Sequence, residues 1–102
     1  MQRYADSLVQ EQASRALDMT LAGYTVPVVN TTTLFSEVGD YLCRQRPEIP
    51  FAAYYFDRQD KRQWGLRSRG ACDCSVVAKQ FGGGGHPGAA GFVTEKGWLP
   101  TL

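Results

Sequence analysis

"WGLRSRGACDCSVVAKQFGGGGHPGAAGF", residues 64–92, changes its periodicity three times in one short stretch. Alternation puts Trp64, Leu66 and Ser68 on one face and Gly65, Arg67 and Arg69 on the other, the pattern of a strand that runs out at Gly70. Asp73 or Ser75 suits the N-cap of a short helix that turns Val76, Val77 and Phe81 toward a core, and Gly82 is placed to stop it in the left-handed conformation. "AAGFV" then resumes as a strand. Between that helix and that strand, four consecutive glycines, Gly82 to Gly85, directly precede His86, the one histidine of the chain. Glycine is the costliest residue to order, so the run either stays loose or exists because something must come close to the main chain. Pro87 restricts His86 to extended backbone, and Gly88, Ala89, Ala90 and Gly91 are small, which favours a shaped turn with its N–H groups facing a ligand.

Outward from this stretch, "FAAYYFD" (51–57) is apolar on both alternations and reads as a central strand. With "RQDK" as its turn it forms a hairpin with residues 62–70. Upstream, "YTVPVVN" (24–30) is β-branched, with Pro27 pointing to an edge or a bulge. Ser36 suits an N-cap, and Val38, Tyr41 and Leu42 build a helical face that ends before Pro47. Residues 3–19 carry Ala5, Leu8, Val9, Ala13, Ala16 and Leu17 at helical spacing, with Gly23 as the stop, and "WLPTL" reads as a tail. The expected order is α-β-α-β-β-α-β, a single α+β domain with a small mixed sheet and helices packed on it.

Composition narrows the function classes. The 102 residues fit one domain, and 43% hydrophobic with 21% charged residues is the balance of a globular rather than a disordered chain. A net charge of +1 argues against wrapping long nucleic acid, so any anion site must be local. No apolar run reaches membrane-span length and the N-terminus lacks a secretory h-region, so no membrane is expected and the setting is read as cytoplasmic. Cys43, Cys72 and Cys74 leave one thiol over from any pairing, and reduced thiols fit best. A metal site from Cys72, Cys74 and His86 would lack a clear fourth ligand and the usual Cys-x2-Cys spacing.

Phosphate is the anion that suits the remaining groups. Bare amides, an imidazole and a guanidinium fork complement its oxygens, and one charge-assisted arginine contact contributes about 1.5 to 3 kcal/mol. Arg67 and Arg69 supply the fork if their strand lies beside the glycine turn. The Gly83-x-Gly85-x-x-Gly88 match to a dinucleotide fingerprint follows a helix instead of a strand, and no Gly-Lys-Ser/Thr completes a P-loop. There is no nucleophile elbow and no Asp/His cluster for a catalytic metal, so the sequence offers binding without cleavage.

Taken together, the "LRSR" strand, the short helix with Asp73 and Ser75 at its start, and the "GGGGHPGAAG" turn resemble the C-terminal substrate-binding domain of the DHH (Asp-His-His) phosphoesterases, which include nano-RNA oligoribonucleases and RecJ-type exonucleases. "VPVVNTTTLFSEVGDYL" and "FAAYYFD" are similar to that domain's lead-in. The resemblance implies a linker helix in residues 1–22 and the DHH-associated domain in 23–102. It also implies a phosphate held by Arg67, with Ser68 and Arg69 assisting, and a turn of Gly83, Gly84, Gly85 and His86 at the bound nucleotide. No catalytic residue and no cofactor are expected in this chain; manganese or magnesium would belong to a separate N-terminal DHH domain, the expected partner. The ligand would be a short oligonucleotide or nucleotide phosphate: nano-RNA, single-stranded DNA, a nucleoside bisphosphate, a cyclic dinucleotide and polyphosphate all stay open, as does a homodimer. The alternative is a nucleic-acid module related to the C-terminal domain of alanyl-tRNA synthetases.

Overall fold

A computed structural model describes residues 2–31, 35–70 and 72–100. Its elements in chain order are α1 (Gln2–Ala13), β1 (Leu17–Leu21), β2 (Tyr24–Asn30), α2 (Phe35–Gln45), β3 (Ala52–Arg58), β4 (Lys61–Arg67), α3 (Cys74–Lys79), β5 (Gly84–His86) and β6 (Ala89–Glu95). The strands form one mixed six-stranded sheet in the order β1-β2-β3-β4-β6-β5. β2 and β3 pair in parallel across the α2 crossover, and the other neighbours are antiparallel. The expected α+β class with a small mixed sheet holds.

Two cores sit on the two faces. Val28, Ala53, Trp64, Leu66 and Phe92 join Cys74, Val77 and Ala78 of α3 on one side. Val29 and Ala52 join Val9 and Ala13 of α1 and Val38, Leu42 and Cys43 of α2 on the other. No helix of the described residues is long and apolar enough to cross a membrane.

Several expectations change. The helix expected over 3–19 stops at Ala13, and Leu17–Leu21 is an edge strand paired with β2. Ala22 (φ 54°) and Gly23 (φ 87°) are both left-handed and close a two-residue hairpin between Leu21 and Tyr24, so Gly23 ends a strand instead of a helix. β2 is thereby an interior strand, and Pro27 lies outside the β2–β3 ladder, which begins at Val28. α2 begins at Phe35, which places Ser36 within its first turn instead of at the cap. Asp73 caps α3, accepting from the Ser75 N–H at 3.0 Å. Val76 is 55% exposed, and Cys74 and Ala78 take the core positions beside Val77.

The expected tail is anchored at its first residue, Trp98, while residues 101 and 102 lie outside the described residues. Trp98 packs edge-on to Trp64 at 5.5 Å, and its carbonyl accepts from Arg62 Nη1 at 3.0 Å. Arg62, 9% exposed, also donates to both oxygens of Asp57 at 2.7 and 3.2 Å and lies 4.5 Å from the centre of the Tyr55 ring. The hydrogen bond from Arg62 holds the Asp57 carboxyl below its usual range, outweighing the opposing effect of burial. A carboxyl depressed on folding contributes stability that is complete above its unfolded value and is lost as pH falls through the lower folded one. Thermal stability is therefore expected to decline from about pH 4 downward, and Asp57→Asn to flatten part of that decline. Superimposable melting-temperature profiles for Asp57→Asn and the wild type between neutral and acidic pH would contradict this.

Candidate functional site

Arg67 ends β4 opposite Ala89 of β6, and Ala89 stands opposite His86 of β5. Residues opposed across adjacent strands point to the same face, and strands lie about 4.8 Å apart, so Arg67 and His86 rise from one sheet face with Cα atoms about 10 Å apart. They line a common cavity of ≈ 500 Å³ together with Asp40, Ser68, Arg69, Gly88 and Ala89.

Each wall has a local cause. α3 ends in a Schellman motif: Gly82 is left-handed (φ 85°), its N–H donates to Lys79 O at 3.1 Å, and the Gly83 N–H donates to Ala78 O at 2.9 Å. The chain then runs straight into edge strand β5, and a two-residue Pro87–Gly88 turn returns it along β6. That turn is tied down at both ends, since Gly88 O accepts from the Ser68 N–H at 3.0 Å and Pro87 O from the Cys74 N–H at 2.8 Å. Ser68 Oγ accepts from the N–H groups of Gly70 and Cys72, both at 3.2 Å, and so shapes the turn leaving β4. The bend sought in the glycine run is thus the Pro87–Gly88 turn, one step later.

The glycines part company. The Gly83 N–H is spent on the helix end, and a side chain at Gly83 would strike Gly91 O and Phe92. Gly85 (φ 144°) presses against Ala90, whereas Gly84 has no neighbouring atom within 4 Å of where a Cβ would stand. None of the three lines the cavity; from this segment His86, Gly88 and Ala89 do.

The two arginines differ in charge state of their surroundings. Arg69, beyond the end of β4, donates from Nη1 to Asp40 Oδ1 at 2.6 Å, and Asp40 Oδ2 accepts from Arg44 Nε at 3.1 Å. Burial pushes the Asp40 carboxyl up, but the hydrogen bonds from Arg69 and Arg44 hold it below its usual range. Among the described residues, the half-buried Arg67 makes no ion pair. Asp40, the carboxylate of this cavity, is bonded to Arg69 and Arg44, so the Arg67 guanidinium faces the cavity with no carboxylate bonded to it among the described residues and is poised for an external anion.

Two residues were missed in the sequence. Gly39 sits in mid-α2 because a Cβ there would stand 2.9 Å from Arg67 Cβ; its absence lets the helix press the arginine stem against the sheet. A glycine inside a helix costs about 1 kcal/mol relative to alanine, and that cost was the available signal. Asp40 was legible only as the i,i+4 partner of Arg44, since its contact with Arg69 spans 29 residues.

All three cysteines are free. Burial raises the thiols of Cys43 and Cys72 above the ordinary range and pushes Cys74 up to about 12, which favours the protonated thiol over the thiolate. Among the described residues, no three His, Cys, Asp or Glu side chains come together to hold a metal ion, so Cys72, Cys74 and His86 form no such group. These residues equally do not fit a manganese or magnesium centre.

No family model and no curated protein matches the chain. Its fold recurs among solved structures. An uncharacterized protein from Helicobacter pylori G27 superposes with a TM-score of 0.62 at 19% identity, over 95% of this chain and 27% of that one. A pGpG-specific phosphodiesterase, PggH, from Vibrio cholerae superposes with a TM-score of 0.64 at 12% identity, over 92% of this chain and 34% of that one. The chain thus spans about a quarter to a third of the length of each.

Proposed function

We propose that this chain is the substrate-binding half of a phosphoesterase of the Asp-His-His type, a DHH-associated domain that holds a phosphate of a short oligonucleotide or nucleotide while a separate domain cleaves it. The observation that carries the reading is the guanidinium of Arg67, without an ion pair among the described residues, sharing one cavity with His86. The fold shared with one part of a larger phosphodiesterase supports it. Arg67 grips two phosphate oxygens with its planar fork, and His86 donates from its imidazole. Ser68 fixes the turn beneath them and Arg69 guards the rim. Gly83, Gly84 and Gly85 form a bare edge that brings His86 opposite Ala89. These groups bind, orient and stabilise charge growing on the phosphate; His86 has no carboxylate paired with it among the described residues and serves as a donor, not as a base. Free cysteines suit a cytoplasmic setting.

The test is isothermal titration with a 5′-phosphorylated dinucleotide across a range of salt. One or two phosphate contacts predict a shallow log–log slope of about −0.7 to −1.4, and His86→Gln should weaken binding by removing one donor to the phosphate. A steep slope, with structured RNA preferred, would point instead to a tRNA-binding module of the alanyl-tRNA synthetase kind.

A further inference from the structure

The cavity that holds Arg67 and His86 does not end at Arg69. The same arginine lines a second hollow of ≈ 330 Å³ whose other walls include Arg44, Cys43, Pro47 and Ile49. Arg69 reaches this place from the turn after β4 and Arg44 from the last turn of α2, and their guanidiniums meet on the two oxygens of one carboxylate, Asp40. Both arginines are about half exposed, at 54% and 53%. Each makes a single hydrogen bond to Asp40, although a guanidinium carries five N–H donors. Two cations against one anion leave the hollow with a surplus positive charge.

From this arrangement we infer that Arg69 and Arg44 form a second phosphate subsite, for the next phosphate along an oligonucleotide, with Asp40 as the internal anion that holds the two arginines in place. Arg69 lines both hollows, so a phosphate in the second would lie beside one in the first, as successive phosphates of one strand do. A ligand with one phosphate fills the first cavity alone. A ligand with two reaches both and shares or displaces the Asp40 carboxylate, so Asp40 sets the preference between one-phosphate and two-phosphate ligands. The inference rests on the reading of Arg67 and His86 as a phosphate site.

The experiment is calorimetric titration of the wild-type chain, Arg67→Met, Arg44→Ala and Asp40→Asn with inorganic phosphate and with 5′-phosphorylated diadenylate, after circular dichroism has verified each fold. Arg44→Ala is expected to weaken the dinucleotide about 3- to 10-fold more than it weakens phosphate. Asp40→Asn is expected to favour the dinucleotide over phosphate by a similar factor. If Arg67→Met abolishes binding while Arg44→Ala and Asp40→Asn shift both ligands equally or not at all, the second subsite falls and the first stands. If the wild type binds neither ligand, or Arg67→Met binds both normally, the phosphate site itself falls and takes the inference with it.

Discussion

Arg67→Met is expected to weaken phosphate binding roughly 10- to 100-fold, the equivalent of losing one charge-assisted bidentate contact worth about 1.5 to 3 kcal/mol. Methionine keeps an unbranched apolar stem to lie beneath Gly39, so the packing of α2 on β4 is retained and the melting temperature should barely move. Arg67→Lys should fall between the two, because it keeps the charge and loses the planar fork. The comparison separates binding from folding: a large loss of affinity with an unchanged melting temperature supports the site. Equal affinity for phosphate in wild type and Arg67→Met would remove Arg67 from it.

Gly83→Ala is expected to destabilise the chain by about 3 kcal/mol or more, a fall in melting temperature on the order of 10 to 20 °C. The added methyl would meet Gly91 O, Phe92 Cβ and Phe92 Cα, two of them backbone atoms of β6 that cannot swing aside. Phe92 has no room to retreat, because its ring stacks on Phe81 at 4.6 Å and on Trp64 at 5.8 Å. Gly84→Ala, one residue later, meets nothing within 4 Å and has no left-handed backbone, so its melting temperature should stay within a few degrees of wild type. Similar thermal denaturation curves for the two variants would contradict the account of how the glycine run is built.

This contrast also shows where the sequence stops being readable. Four strands and three helices follow from periodicity, because their faces meet a core and their apolar residues recur accordingly. β1 escapes because Ala13, Ala16 and Leu17 continue a helical stripe; what decides is pairing with β2 and the left-handed pair Ala22–Gly23, both tertiary or turn effects. β5 escapes for the opposite reason. Its Gly84 and Gly85 have no strand propensity of their own, and they become a strand because β6 leaves an edge free beside them. Val76 was misplaced because a helix of six residues has too few turns for its buried stripe to be phased from sequence.

The site divides along the same line. Arg67 and His86 stand out by residue type, since an arginine beside a strand end and a histidine after a glycine run each suggest an anion. Their meeting depends on Arg67, Ala89 and His86 sharing one row across β4, β6 and β5, which no local pattern displays. Asp40 and Gly39 enter through α2, whose approach to β4 is set by core packing of Val38, Leu42 and Cys43. Arg69 was expected on the strand face with Arg67; the strand ends first, and the turn held by Ser68 carries Arg69 to the rim instead.

The most direct measurement of the central claim is a single NMR titration with inorganic phosphate that follows the Arg67 Nε–H and the His86 ring signals together. The account predicts that both move along one saturation curve with one dissociation constant, and that the backbone amides of Ser68, Gly88 and Ala89 move with them. Movement of one signal without the other, two unrelated constants, or changes confined to residues away from this cavity would contradict it.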